Sequence, residues 1–215
     1  MARILITSGP TRQYIDPVRY LTNASSGRMG KALAEAAIEL GHEVIIVSGP
    51  VDVTYPSSAR VVPVVSTEQM LIAAREAFGG CDGLIGVAAP SDYRPVKVEP
   101  NKIAKTGEPL VLHLVETDDV VATLGAEKTT QWLVGFALET EDHRLRALAK
   151  LEKKHCDLMV LNGPQAMHST DNSVEIIDRE GNVLEAISGP KEEVARGIFA
   201  VIQQRLVKGR KPRGT

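Results

Sequence analysis

Ile4-Leu5-Ile6-Thr7-Ser8-Gly9-Pro10, then Gly27-Arg28-Met29-Gly30, then Glu43-Val44-Ile45-Ile46-Val47, are the segments whose reading decides the fold. Ile4 to Thr7 is a short apolar run closed by Gly and Pro, which predicts a buried strand. From Gly27 to Leu40 the apolar residues Met29, Leu33, Ala37 and Leu40 share one helical face, and Gly41 ends the helix. Glu43 to Val47 reads as a second strand. Strand, helix and strand in that order form a β-loop-α-β unit, whose crossover is almost always right-handed. Ser8 to Ser26 is rich in Gly, Pro, Thr, Asp, Asn and Ser, which suits a long functional loop.

Outward from this unit the alternation continues. Strands are expected at Val61–Val65, Asp82–Ala88, Leu110–Val115, Trp132–Phe136 and Leu158–Leu161. Helices are expected at Thr67–Phe78, with Thr67 as N-cap, at Val120–Lys128 and at Asp142–His155. Ser173–Asp178 and Val183–Ile187 flank Arg179-Glu180-Gly181-Asn182 and read as a β-hairpin. Pro190–Leu206 closes as a helix. The fold class is therefore α/β: a Rossmann-like, doubly wound, mostly parallel sheet with helices on both faces and a C-terminal β-hairpin. Residues 1–206 are expected to form one domain and 207–215 a basic, disordered tail.

Composition agrees. Aromatics make up only 4% of the 215 residues, so the core must be built from Val, Ile, Leu and Ala, as buried parallel strands are. A net charge of −2 gives no global attraction to nucleic acid or an anionic membrane. No apolar run reaches the ~18–20 residues of a membrane span, and the N-terminus runs straight into a strand rather than a signal peptide. Cys81 and Cys156 are far apart and lack metal-ligand spacing, so neither a disulfide framework nor a metal site is expected. A cytoplasmic protein is expected.

Ligands of open α/β sheets bind beyond the carboxyl ends of the strands. Here those ends are Ser8-Gly9-Pro10, Ser48-Gly49-Pro50, Ala88-Ala89-Pro90-Ser91-Asp92, Phe136-Ala137-Leu138-Glu139-Thr140 and Asn162-Gly163-Pro164. Ser25-Ser26-Gly27-Arg28-Met29-Gly30 places two hydroxyls and a glycine at a helix start. Free N–H groups and the helix dipole favour an anion there, and Gly30 would let the helix close on the sheet. The competing reading is a plain helix cap by Ser26. A dinucleotide site is disfavoured: about twenty residues separate the first strand from Gly27, and the second strand ends without a carboxylate for a ribose. A P-loop fails because no Gly-Lys-Ser/Thr follows.

The same residues resemble a known family. Ile6-Thr7-Ser8-Gly9-Pro10-Thr11-Arg12, Asp16-Pro17-Val18-Arg19-Tyr20, Asn23 and Ser25-Ser26-Gly27-Arg28-Met29-Gly30 are similar to the opening of phosphopantothenoylcysteine synthetase. In bacteria this is the carboxy-terminal half of the bifunctional coenzyme A biosynthesis flavoprotein. The resemblance continues through Val47-Ser48-Gly49-Pro50-Val51, Ala88 to Pro95, Lys102-Ile103, Val134-Gly135-Phe136-Ala137, Glu139-Thr140, Asn162 and Asp171-Asn172, and spans Arg3 to Leu206.

The resemblance implies a ligase. The carboxylate of 4′-phosphopantothenate attacks the α-phosphate of CTP (ATP in eukaryotic members), expelling pyrophosphate and giving an acyl-nucleotidyl intermediate. Cysteine then takes the acyl group, releasing CMP. Magnesium accompanies CTP, no separate protein-held metal is expected, and no flavin is expected because the decarboxylase half is not in this sequence. Asn23 and Lys102 are implied as catalytic, Asn23 at the acyl intermediate and Lys102 in a lid, Pro100-Asn101-Lys102-Ile103-Ala104-Lys105, that closes on the triphosphate. The nucleotide site is implied to comprise Ser25, Gly27, Gly86, Val87, Ala88, Asp92, Lys102, Thr117, Asp118, Asp119, Val120, Phe136, Lys150 and Lys154. Asp92 would serve the ribose or a magnesium shell. Arg12 and Arg19, whose guanidinium forks suit phosphate, join Asn23 and Ala88 at the phosphopantothenate site. Family members are homodimers, and a separate decarboxylase is a candidate partner.

Departures cluster around the nucleotide. Ala24 stands for the family's histidine, Pro90-Ser91 for Val-Ala, Thr117-Asp118-Asp119-Val120 for Asn-Pro-Asp-Ile, and Ala104 thins the lysines of the lid. Base preference is the most exposed to these changes. Two other readings stand beside the ligase: a nucleotide-binding regulatory subunit with little turnover, and an NAD(P)-dependent reductase.

Overall fold

The computed structural model describes residues 1–138, 143–162 and 171–208. Glu139-Thr140, Asp142, Gly163-Pro164, His168 and the tail beyond Lys208 lie outside the described residues.

Eight strands form the main sheet, in the order β12-β11-β10-β9-β6-β1-β4-β5. These are β1 (Arg3–Ser8), β4 (Glu43–Ser48), β5 (Arg60–Pro63), β6 (Gly83–Gly86), β9 (Trp132–Leu138), β10 (Leu158–Asn162), β11 (Asp171–Ile177) and β12 (Val183–Pro190). The first six in sequence pair in parallel and run 3-2-1-4-5-6 across the sheet, the doubly wound order. β11 and β12 add an antiparallel hairpin at one edge. The strand order reverses between β1 and β6, which places a crevice at their carboxyl ends.

Period-2 alternation sorts the strand residues onto two faces. Ile4, Ile6, Ile46, Ile85, Trp132 and Val134 pack under α1 (Arg28–Glu39) and α5 (Lys191–Ile202). Leu5, Val47, Leu84, Leu133 and Leu161 pack under α2 (Thr67–Phe78), α3 (Val120–Glu127) and α4 (His143–Lys153). No helix among the described residues is long and apolar enough to cross a membrane.

Several local expectations are corrected. Residues 8–26 are not one loop: they fold into a two-stranded hairpin, β2 (Arg12–Asp16) and β3 (Arg19–Thr22). Alternation there is masked because two of its buried residues, Gln13 and Asp16, are polar. The strand expected at Leu110–Val115 is β8 (Leu114–Glu116), and it pairs with β7 (Tyr93–Pro95) outside the main sheet. α2 is capped by Ser66, not Thr67, through a capping box with Gln69. Ser26 does not cap α1. The N-cap is Gly27 at φ 74°, with no side-chain bond to the helix. α5 runs on into a π turn at Gln203–Val207, so residues 207–208 belong to that helix end rather than to a tail.

Candidate functional site

A cleft of about 310 Å³ opens at the carboxyl ends of β1, β6 and β9. Thr7, Gly86, Ala88 and Phe136 line its floor, and Asp92, Thr117, Asp118, Asp119, Val120, Lys153 and Lys154 its walls. Gly86 is needed for close packing, since a Cβ there would come within 2.5 Å of Val121 on α3. Phe136 is half-buried: one face rests on the core and the ring borders the cleft.

The neighbouring crevice, between β1 and β4, is filled by the protein itself. Tyr55 bonds Ser48 at 2.8 Å and Ser8 at 2.9 Å, and Val51 lies against the Cβ positions of Gly9 and Gly27.

The rim carrying Asp92 is held by a closed ring of hydrogen bonds. The N–H of Ser91 donates to Thr11 Oγ1 (2.8 Å), Thr11 and Thr67 hydroxyls meet at 2.8 Å, and Thr67 Oγ1 donates to the Ser91 carbonyl (3.1 Å). Thr117 Oγ1 donates to the same carbonyl at 2.6 Å. Thr67 and Thr117 thus occupy both lone pairs of the Ser91 carbonyl. Asp92 itself is exposed.

Asp119 caps α3 by accepting from Ala122 N, and Lys154 Nζ lies 2.9 Å from its other oxygen. Burial pushes the Asp119 carboxyl up, but the Ala122 N–H and the Lys154 charge outweigh it and hold it below the ordinary carboxylate range. Lys154 reaches this position because Gly125 lets α3 approach its backbone. A Cβ on Gly125 would stand 2.1 Å from the Lys154 carbonyl oxygen. Lys150 lies one turn earlier on α4 and is not in the cleft lining. Asp118 lines the cleft and contributes to raising the Arg75 pKa, after the larger effect of the Glu127 hydrogen bond.

Asn23 reaches the rim from the other side, its amide donating to the Pro90 carbonyl at 2.8 Å. Ser25 and Gly27 follow at the uncapped start of α1, where no side chain occupies the helix N–H groups. Val87 packs against the core. Arg12 stacks over Tyr20, 4.6 Å from the ring centre. Arg19 bonds Asp16 and the Ile103 carbonyl. Lys102 is exposed beside Ile103. The structure thus gathers Gly86, Ala88, Asp92, Thr117 to Val120, Phe136 and Lys154 into one cleft. It places Asn23 on the rim, and Arg12, Arg19, Val87, Lys102 and Lys150 outside the lining.

Thr7, Tyr93, Glu116, Val121 and Lys153 also line the cleft and were not singled out from sequence. Tyr93 and Glu116 meet only through the β7–β8 pairing, a long-range event without a local signal. A larger cavity, about 640 Å³, lies between the last turns of α3 and α4. Its cations Lys128 and Arg179 both pair with Asp157, and burial pushes its Cys156 thiol up to about 12, which leaves it unreactive.

Residues 1–206 match the family described as the DNA/pantothenate metabolism flavoprotein C-terminal domain. The chain belongs to this family. The C-terminal domain of a coenzyme A biosynthesis bifunctional protein CoaBC, known from a crystal structure, superposes with a TM-score of 0.81 at 40% identity, over 96% of both chains. The CoaBC protein of Bacillus subtilis is 39% identical over 206 residues, covering 94% of this chain and 50% of that protein. A protein named cysteine/cysteine sulfinic acid decarboxylase, from an unknown prokaryotic organism, is 43% identical over 208 residues, covering 93% of this chain and 57% of that one. The chain therefore spans about half the length of the curated relatives it matches.

Proposed function

We propose that this chain is a phosphopantothenate–cysteine ligase of coenzyme A biosynthesis, using CTP to activate the phosphopantothenate carboxylate. The observation that carries this reading is the cleft itself. Residues scattered from Gly86 to Lys154, which the family resemblance assigns to the nucleotide, share one 310 Å³ space, with Asn23 at its rim. No protein nucleophile is needed. Bringing a carboxylate onto an α-phosphate requires charge neutralisation and alignment of two anions. The uncapped start of α1 offers N–H groups to phosphate oxygens. Lys102 would bring a point charge to the triphosphate as its loop closes, and Phe136 would stack on the base. Asn23 would hold the acyl group.

Among the described residues no group of three or more His, Cys, Asp or Glu side chains could hold a metal ion. Magnesium would arrive with the triphosphate, whose oxygens supply most of its ligands, and Asp92 would share it or take the ribose hydroxyls. The ion would neutralise charge on the leaving pyrophosphate. Exposed Tyr14, Val18 and Tyr20 on the β2–β3 hairpin, and Tyr93, Leu114 and Val115 on the β7–β8 pair, support a homodimer through this side. Sedimentation at micromolar concentration tests it, and a monomer there would remove it.

The decisive assay is pyrophosphate release with 4′-phosphopantothenate, cysteine, magnesium and each of four triphosphates. Turnover with CTP above the others is expected. Lys102→Gln should keep nucleotide binding and lose roughly a hundredfold in turnover, as loss of one transition-state contact does. A second reading, a nucleotide-binding subunit with little turnover, has one observation in its favour: Lys154 is already paired with Asp119, and Asp118 adds negative charge. Tight triphosphate binding without pyrophosphate release would put it first.

A further inference from the structure

Asp16 lies at the end of β2, and its side chain has no solvent exposure. A buried carboxylate must be paired and hydrogen-bonded, and this one is bonded on both oxygens. Oδ1 accepts from the N–H groups of Val18 and Arg19, each at 2.9 Å. Oδ2 accepts from Arg19 Nη1 at 2.9 Å and from the N–H of Ile103, 87 residues away, at 3.1 Å. The Arg19 guanidinium in turn donates to the Ile103 carbonyl from Nη1 (3.2 Å) and Nη2 (3.3 Å). Both backbone polar groups of Ile103 are thus taken by one carboxylate–guanidinium pair. A second tie, Glu99 N–H to the Ile15 carbonyl at 2.9 Å, holds the approach to the loop. Beyond Ile103 the loop runs to Leu110 and encloses, with Arg19, a cavity of about 560 Å³. Lys102 is the residue immediately before the fastening point, and it is exposed.

We propose that Asp16 is a positioning residue: with Arg19 it latches Ile103 to the β2–β3 hairpin and so fixes the hinge from which Lys102 swings toward the cleft. The role of Lys102 rests on the ligase reading, whereas the latch does not. Asp16 touches neither nucleotide nor substrate and acts only through Ile103. The hairpin, which the sequence presents as a loop, thereby becomes the anchor of a second loop more than eighty residues downstream.

Asp16→Asn is the selective variant. Its amide oxygen can still accept from Val18 and Arg19, while its NH₂ faces two donors where Oδ2 accepted. Arg19→Gln removes the Ile103 carbonyl contacts at a half-exposed site and serves if Asp16→Asn does not fold. Limited trypsinolysis of the full chain without ligands reads the latch directly, because Lys102 and Lys105 flank the fastening point. Cleavage at these two lysines should be about tenfold faster or more in either variant, the size expected when a charge-assisted hydrogen bond leaves a local opening equilibrium. Folded variants with wild-type cleavage rates at both lysines would overturn the latch. In the ligase assay Asp16→Asn should lower kcat and leave the CTP dissociation constant unchanged. An equal loss in both overturns the positioning role. If the wild-type protein shows no ligase turnover, the functional reading falls, and the trypsin rates still decide the latch.

Discussion

Lys154 Nζ stands 2.9 Å from Asp119 Oδ2, so the end of α4 is tied to the N-cap of α3 inside the cleft. Asp119→Asn keeps a competent cap and removes only the charge. A carboxyl whose folded pKa is depressed stabilises above its unfolded pKa and loses that contribution as pH falls through the folded value. Wild type should melt above Asp119→Asn by a constant margin from about pH 8 to about pH 5, and the margin should shrink below about pH 4. Thermal melts across this range check it. A margin that grows in acid would contradict the pairing.

Gly30→Ala sets helix propensity against packing. Alanine is favoured in a helix by about 1 kcal/mol. Its Cβ, however, would lie 2.1 Å from Ser8 Oγ and 2.6 Å from Ser8 Cβ at the end of β1. Overpacking at such a contact costs about 1–3 kcal/mol. Net destabilisation is expected in urea unfolding, and a stabilised variant would show that α1 does not pack this closely.

Thr11→Val preserves shape and removes one hydroxyl from the ring that holds Ser91. The Ser91 N–H is then buried without a partner, at a cost of about 1–3 kcal/mol. Thr11 is fully buried, so water cannot replace the lost group. Because the ring also sets the Asp92 rim, triphosphate affinity measured by calorimetry should weaken together with stability. Unchanged affinity would separate the ring from the cleft.

Cys156 should resist alkylation. Burial raises its thiol to about 12, against the attraction of Lys154 and Lys128. At about pH 8 the thiolate fraction is then negligible, and iodoacetamide should label Cys156 only after denaturation. Rapid native labelling, read by mass spectrometry, would contradict this environment.

Much of the fold is legible in the chain because its signals are local. The apolar runs of β1, β4, β9 and β10, the helical faces of α1 and α2, and the Arg179-Glu180-Gly181-Asn182 turn each announce their element within a few residues. The β2–β3 hairpin is not legible, since its buried residues Gln13 and Asp16 are polar: Gln13 bonds Glu68, 55 residues on, and Asp16 combines the nearby Val18 and Arg19 with the distant Ile103. Nor is β7, whose three residues have no meaning without β8.

Asp92 and Phe136 lie at strand ends that the sequence shows, but the roles expected of Asn23, Asp92, Lys102, Phe136 and Lys154 all come from the family resemblance. What the sequence by itself determined is the alternating strand–helix order, hence a parallel sheet with a crevice at its carboxyl ends. Periodicity is a property of neighbours, so a single chain displays it. Only the tertiary structure decided that Lys154 is held by Asp119, that Thr117 and Thr67 share the Ser91 carbonyl, and that Asp16 and Arg19 hold Ile103. Those contacts join residues 24 to 87 positions apart. Buried polar groups take whichever partner the packed sheet brings within reach, and no local pattern encodes that choice.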